Sequence, residues 1–345
     1  NDFGNFYFDS LKNLQKARIY YELGMKYAGK AGDSVRLSRL SFNIGRTCMD
    51  ENNFKQANKY LSQAFVFLGI DDSDGFHNSA TATAISLNQN KELLLYILEN
   101  KTWLLLRLYE QKKDKHFLHD CLAAALLTDS VITQLRHKQT GEQSKLYWRD
   151  RTRSFFATAL KACYAAGNPA LAFYYMEKSR AVLLNDKLNE LGAMAHLPEE
   201  EHNTEQEYKR RITSEEQRLN SLPAHSMQYK QQQLTVLQVK DEFEHYIKTI
   251  EQKYPAYYQY KYASKVPALA ELQKYLLKRK AHFVHYFVED TTAYILSIMP
   301  DTAKMIQLHS KNFDREQVME FLRYCSNKQR LNNDFSGFAS ISHAL

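Results

Sequence analysis

Glycine and proline are scarce, 11 and 6 among 345 residues. An all-β sandwich needs turn residues every few positions, so this scarcity excludes one and predicts long helices with few breaks. Cysteine is scarce too: Cys48, Cys121, Cys163 and Cys325 lie far apart with no CxxC pair. That excludes a disulfide framework and a thiolate zinc site, and it suits a reducing compartment. No apolar run approaches the ~20 residues of a membrane helix, and no stretch has the form of a signal peptide. No membrane segment and a cytoplasmic location are therefore expected. The chain opens on Asn1 rather than Met, as a piece of a longer protein would. GxxxxGK[ST], GxGxxG and HExxH are all missing, which leaves nucleotide and zincin readings without footing.

What is present is a charged fraction of 25% and a hydrophobic fraction of 44%, enough for two or three cores. The net charge of +7 is spread among acids, with short basic runs only at Lys209–Arg211 and Lys278–Lys280. A nucleic-acid groove needs a basic face with interleaved aromatics, so a nucleic-acid partner is not expected.

Residues 1–190 read as repeated helix pairs. In 54–68, Phe54, Ala57, Leu61, Ala64, Phe65 and Leu68 form one apolar stripe, with Asn53 placed to cap it. The preceding helix supplies Leu40, Ile44, Gly45 and Cys48. Gly45 on one side, with Ala57 and Ala64 on the other, lets two antiparallel helices approach closely. Ala17, Tyr21 and Gly24 repeat the second-helix series about forty positions before Ala57. Trp103, Leu104, Leu106 and Leu108 open a further helix, and Cys121, Ala125 and Thr128 lie on the next. Phe156, Ala159, Leu160 and Cys163 precede Gly167-Asn168-Pro169, where glycine can end a helix, asparagine cap the next and proline fill its first turn. Ala172, Met176 and Ser179 follow. Residues 70–90 read as a loop.

Residues 191–262 read as a long helical hairpin. Pro198 with Glu199–Glu201 starts its first helix, which runs to about Leu219. A turn at Ser221–Pro223 leads to a second helix from about Ser226 to Lys253, with a thin apolar stripe of Leu234, Leu237, Phe243, Ile247 and Ile250. Because Gln and Lys are dense there, disorder is the alternative. Residues 263–345 change period again. A short helix at 267–277 precedes β-rich runs at His282–Val288 and Thr292–Met299, joined by Glu289–Thr291, and a third run at 302–308. Asp314 can cap a helix carrying Val318, Phe321, Leu322 and Cys325, and the chain ends in another helix near Phe338.

The stretch Ser38–Gly69 resembles a tetratricopeptide (TPR) repeat. Gly45 matches the motif's small first-helix residue, and Ala57, Leu61 and Ala64 match its small–large–small second-helix series. Ser41 and Cys48 depart from it, standing where the motif often has large aromatics. A period near forty exceeds the usual ~34, so longer helices are expected. The whole order resembles proteins in which TPR repeats precede a CHAT domain, a caspase- and separase-like peptidase family. The likeness rests on Met176–Leu184, on Lys253–Tyr262, and on Leu272-Gln273 leading to the two strands. It implies a mainly α protein: a TPR-like superhelix, a helical hairpin, and the incomplete start of a caspase-like α/β domain. It further implies a scaffold or sensor that captures a protein or peptide on the concave TPR surface. In the family, the catalytic His-Gly and Cys segments come after the region matched. No catalytic, cofactor-binding or metal residue is therefore assigned, and the chain as given is not expected to be an enzyme. A stand-alone TPR adaptor with a small α/β cap is the alternative; an enzyme complete as it stands is a third.

Other candidates have ordinary readings. Cys325 with His309 or His343 could make a Cys–His dyad, but a buried thiol beside Leu322 is the simpler expectation. His282 and His285 point to opposite faces of a strand and cannot share a metal. His116 and His119 show no carboxylate or Cys partner and read as surface residues. Tyr254, Tyr257, Tyr258, Tyr260 and Tyr262 could form a stacking platform, but read as packing.

Overall fold

The computed structural model describes residues 1–137, 142–180, 192, 195–223, 226–257, 266–289, 292–309 and 315–344. It is mainly helical with one small antiparallel sheet. The chain divides into two compact units: residues 1–136, 150–179 and 267–345, and residues 137–149 with 180–266.

The first unit opens with α1 (Asp2–Asn5), continued by a π-helical turn at Phe6–Ser10. Helices α2 (Leu14–Ala31), α3 (Ser34–Asp50) and α4 (Phe54–Phe67) follow, joined by very short turns. Their starts are fixed locally. Asn13, Asp33 and Asn53 each accept a hydrogen bond from the backbone N–H three residues on. Turns this short force antiparallel neighbours, and small residues mark the crossings. A Cβ on Gly45 would sit 3.1 Å from Leu61 Cδ2, and one on Gly24 would sit 3.1 Å from Leu40. Ala17, Ala57, Ala64 and Ala172 are fully buried.

Segment 70–90 is not all loop. Helix α5 (Ser79–Leu87) occupies it, capped by Asn78, with Thr81 and Ile85 buried one turn apart. Its run of Ser, Thr and Ala carries too weak an apolar stripe to announce a helix. Helix α6 (Lys91–Lys112) places Trp103 mid-helix rather than at an opening, because Leu93, Leu94, Leu95, Ile97 and Leu98 already form its buried face.

Helices α7 (Lys115–His137), α8 (Glu142–Ala166) and α9 (Pro169–Arg180) complete the series. At the last junction Gly167 is left-handed (φ +61°), and Asn168 Oδ1 accepts from Leu171 N at 3.0 Å. At 22 to 25 residues, α6, α7 and α8 exceed the common three-turn helix, as the long period predicts.

Helix α12 (Leu269–Arg279) leads into β1 (Phe283–Val288), β2 (Thr292–Ile298) and β3 (Ala303–His309), a meander in that order. The register pairs His285 with Leu296 and Ile298 with Ala303. The central strand is the most buried, through Ala293, Tyr294, Leu296 and Ile298. Tyr294 meets Tyr164 of α8 at 6.2 Å, and Arg153 of α8 donates to the Val288 carbonyl at 2.9 Å.

Helices α13 (Arg315–Ser326), α14 (Lys328–Asn333) and α15 (Phe335–Ala344) close the chain. Asp314 and the centre of the β1–β2 turn lie outside the described residues.

The second unit contains α10 (Glu199–Asn220) and α11 (Met227–Lys253), the long hairpin. Pro198 precedes the three glutamates of the first turn, and Ser226 caps α11 through Tyr229 N at 3.0 Å. Ile247, Ile250 and Tyr257 form its core, flanked by Leu197, Phe243, Tyr246 and Tyr254. Lys240–Glu216 and Arg211–Glu242 bridge the two helices.

Candidate protein-binding face

The first helices of successive pairs, α3, α6 and α8, are tied to one another by side chains on one face. The Arg46 guanidinium lies 4.5 Å from the Phe8 ring and 5.9 Å from Phe42. Phe42 meets Tyr96 of α6 at 6.3 Å, and Arg151 of α8 lies 4.7 Å over that same Tyr96 ring. A pair of rings, Phe42 and Tyr96, is therefore flanked by a guanidinium group at each end across three helices, an arrangement favoured by the negative ring face. Tyr96 remains 44% exposed, so part of its ring is open to a partner.

Two ionic ties fix the spacing of α6 against α8. Arg151 donates to both oxygens of Glu99, at 3.0 and 2.6 Å. Burial pushes the Glu99 carboxyl up while Arg151 pulls it down; burial lowers Arg151 and Glu99 more than reverses that. The two directions conflict over which form is favoured. The bidentate geometry decides for the ionised pair, since both carboxylate oxygens are engaged. Lys161 meets Glu110 at 2.6 Å, and Arg107 meets the same carboxylate at 2.8 Å. Burial raises Glu110, but these two cations together hold it below the usual carboxylate range.

The second helices are tied in parallel fashion. Tyr174 of α9 donates to Asp129 of α7 at 2.5 Å, and Lys178 lies 3.4 Å from the same carboxylate and 3.1 Å from Thr133. A third buried polar group sits beside α6. Lys101 meets Asp72 at 2.8 Å, with both side chains at most 5% exposed, and Ser62 bonds to both. Unpaired charges could not survive there, so these networks specify how each pair seats on the next.

At its start the face is covered by the chain itself. The Asn43 amide donates to Asn1 Oδ1 at 2.9 Å and to Asn5 Oδ1 at 3.2 Å, and Gly4 packs against the Tyr21 ring. A first-helix asparagine can thus hold a polar segment laid across it.

Cys325 is exposed, as is Leu322, because α13 turns Tyr324 and Phe321 inward against Phe338 instead. The expectation of a buried thiol there is overturned. His343 is exposed on α15, and the His309 side chain lies outside the described residues. Cys48, Cys121 and Cys163 are buried, and burial pushes all three thiols up, Cys163 to about 12.

His282 precedes β1 and is exposed, while His285 lies within the strand, buried 3.3 Å from Glu177 of α9. His116 does have a carboxylate neighbour, Asp120 at 3.3 Å one turn on, and His119 stacks on His77 at 4.3 Å. The Asp120 contact was readable from the i, i+4 spacing; His77 was not, lying 42 positions away. Among the described residues no group of three His, Cys, Asp or Glu side chains could hold a metal.

Lys209 pairs with Glu205, and Arg211 with Glu242, so two of the three cations in that run are met within the hairpin. Tyr257 is buried with its hydroxyl 3.3 Å from Glu205, and Tyr254 bonds Glu201. Tyr258, Tyr260 and Tyr262 lie outside the described residues. No helix among the described residues is long and apolar enough to cross a membrane. No family model matches the chain, and no curated protein matches it.

Proposed function

We propose that this chain is a protein-interaction scaffold of the TPR–CHAT type, binding a protein or peptide along the first-helix face. The observation that carries the reading is the row Arg46–Phe42–Tyr96–Arg151, a ring pair flanked by two guanidinium groups in which the Tyr96 ring is half-exposed. Such a surface suits an extended or helical peptide, anchoring an apolar side chain and bonding backbone carbonyls. The rigid ties between α6 and α8 support it, because a preorganised face loses less entropy on binding. No residue of the chain is given a catalytic role. In this reading a caspase-like peptidase region, continuing beyond the strands described, would respond to the captured partner.

Selecting peptides from a displayed library against the chain, then titrating them calorimetrically, tests the proposal. Tyr96→Ala should weaken selected peptides by about tenfold, the loss typical of a central aromatic anchor. Changes on a second helix, such as Tyr60→Ala on α4, should leave affinity unchanged. Peptides indifferent to Tyr96 would place the binding surface elsewhere. Sequencing the parent gene past Leu345 tests the peptidase part: a stop codon without a His-Gly and a later Cys removes it.

A further inference from the structure

Helix α11 carries two stripes. Val236, Val239, Ile247 and Ile250 are buried within the hairpin unit. On the side turned away from them lie Lys230, Leu234, Leu237 and Asp241, spaced four, three and four. Met227, three before Lys230, and Glu244, three after Asp241, extend the series, so the alternation of three and four is that of a coiled-coil seam. The apolar members are open to solvent: Met227 is 82% exposed, Leu234 67% and Leu237 53%. A shallow groove of about 850 Å³ runs beside them, walled by Tyr208 and Tyr246. Neighbouring charges are satisfied within the hairpin, by Lys240–Glu216, Arg211–Glu242 and Lys248–Glu244. Lys230 and Asp241 have no ion-pair partner among the described residues.

The seam reads the same in reverse with its charges exchanged. Lys230 lies four residues before Leu234, and Asp241 four after Leu237. Turn a second α11 antiparallel about the midpoint of the two leucines, and Leu234 faces Leu237 while Lys230 faces Asp241, twice over. A parallel pairing would set lysine on lysine and aspartate on aspartate. Nothing about an unrelated partner would require this mirror relation, but an isologous two-fold contact does. We propose that this face is a homodimerisation seam, in which α11 pairs antiparallel with α11 of a second copy over Met227–Glu244. At 1.5 Å per residue it runs about 27 Å. Met227 then packs on the methylenes of Glu244, whose carboxylate Lys248 holds aside. The proposal is independent of the peptide-binding face.

Sedimentation equilibrium of the full chain over a wide concentration range tests it. A reversible dimer is expected. Lys230→Asp alone, or Asp241→Lys alone, sets like charges together twice and should weaken association by about tenfold or more. An equimolar mixture of those two proteins should recover it, as should the double exchange K230D/D241K. Leu234→Glu with Leu237→Glu should leave only monomer with an unchanged circular dichroism spectrum, since neither leucine supports the fold. A monomer at every concentration, a dimer indifferent to these changes, or a mixture that fails to recover would overturn the seam.

Discussion

At Gly45 the contact between two helices is decided by one missing carbon. A Cβ there would stand 3.1 Å from Leu61 Cδ2 and 3.6 Å from the Ala57 carbonyl. Gly45→Ala gains about 1 kcal/mol of helix propensity, which the small displacement of Leu61 offsets. It should be nearly neutral. Gly45→Val has no such room and should destabilise by about 1–3 kcal/mol, read as a lower urea midpoint with unchanged slope. Lys101 sits at the opposite extreme, a charge whose removal matters more than its presence. Lys101→Ala leaves Asp72 buried against Ser62 without its cation and should cost about 3–5 kcal/mol. Lys101→Met combined with Asp72→Leu removes both charges and should cost much less. Equal losses in urea titrations of the two variants would show that packing of the lysine stem, rather than charge, holds this site.

Helices α6 and α8 are held by Arg151–Glu99 and by Lys161–Glu110, and the second pair confers a pH dependence. The folded Glu110 carboxyl lies below its ordinary value, because its two cations outweigh burial. The folded state therefore binds its proton less readily than the unfolded chain. The resulting stabilisation is full above the unfolded value of about 4.3 and disappears as pH falls through the folded one. Glu110→Gln lacks it, so wild type should melt higher than the variant near pH 6, and the gap should close as pH drops below about 4. A constant gap would assign the effect to packing. None of these ties could be read from the sequence, since their partners lie about fifty positions apart. What was legible was local: the caps at Asn53 and Asn168, the left-handed Gly167, the apolar stripe of α4, the two strand runs of the β-hairpin. Helix α5 is hard to read because Thr81 and Ile85 alone face inward, and the exposure of Cys325 is set by Phe338, a residue of another helix, which covers the Phe321 side of α13. The aromatic–guanidinium row was invisible for the same reason: Phe42, Tyr96 and Arg151 are each ordinary where they stand and become a surface only when three helices align.

The two units differ in how much apolar surface they bury, and their stabilities should separate accordingly. In the first unit α6 alone buries Leu93, Leu94, Leu95, Ile97 and Leu98 on neighbouring helices, and α7 and α8 add alanine and phenylalanine layers. The hairpin unit rests on Val236, Val239, Ile247, Ile250 and Tyr257, with a few half-buried rings and surface ion pairs along its length. Exposed ion pairs contribute about 0–1 kcal/mol each, whereas each fully buried aliphatic side chain contributes about 1.5–3 kcal/mol. Opening of the hairpin should therefore need less free energy than opening of the repeat helices. Hydrogen exchange followed by mass spectrometry should show α10 and the first half of α11 exchanging well before α6 and α7, with protection rising toward Ile247–Ile250. Salt should widen the difference, because it screens Arg211–Glu242 and Lys240–Glu216 while leaving the buried leucines of α6 untouched. Uniform exchange across both units, unchanged by salt, would mean that the hairpin draws its stability from something other than its own core and surface charges.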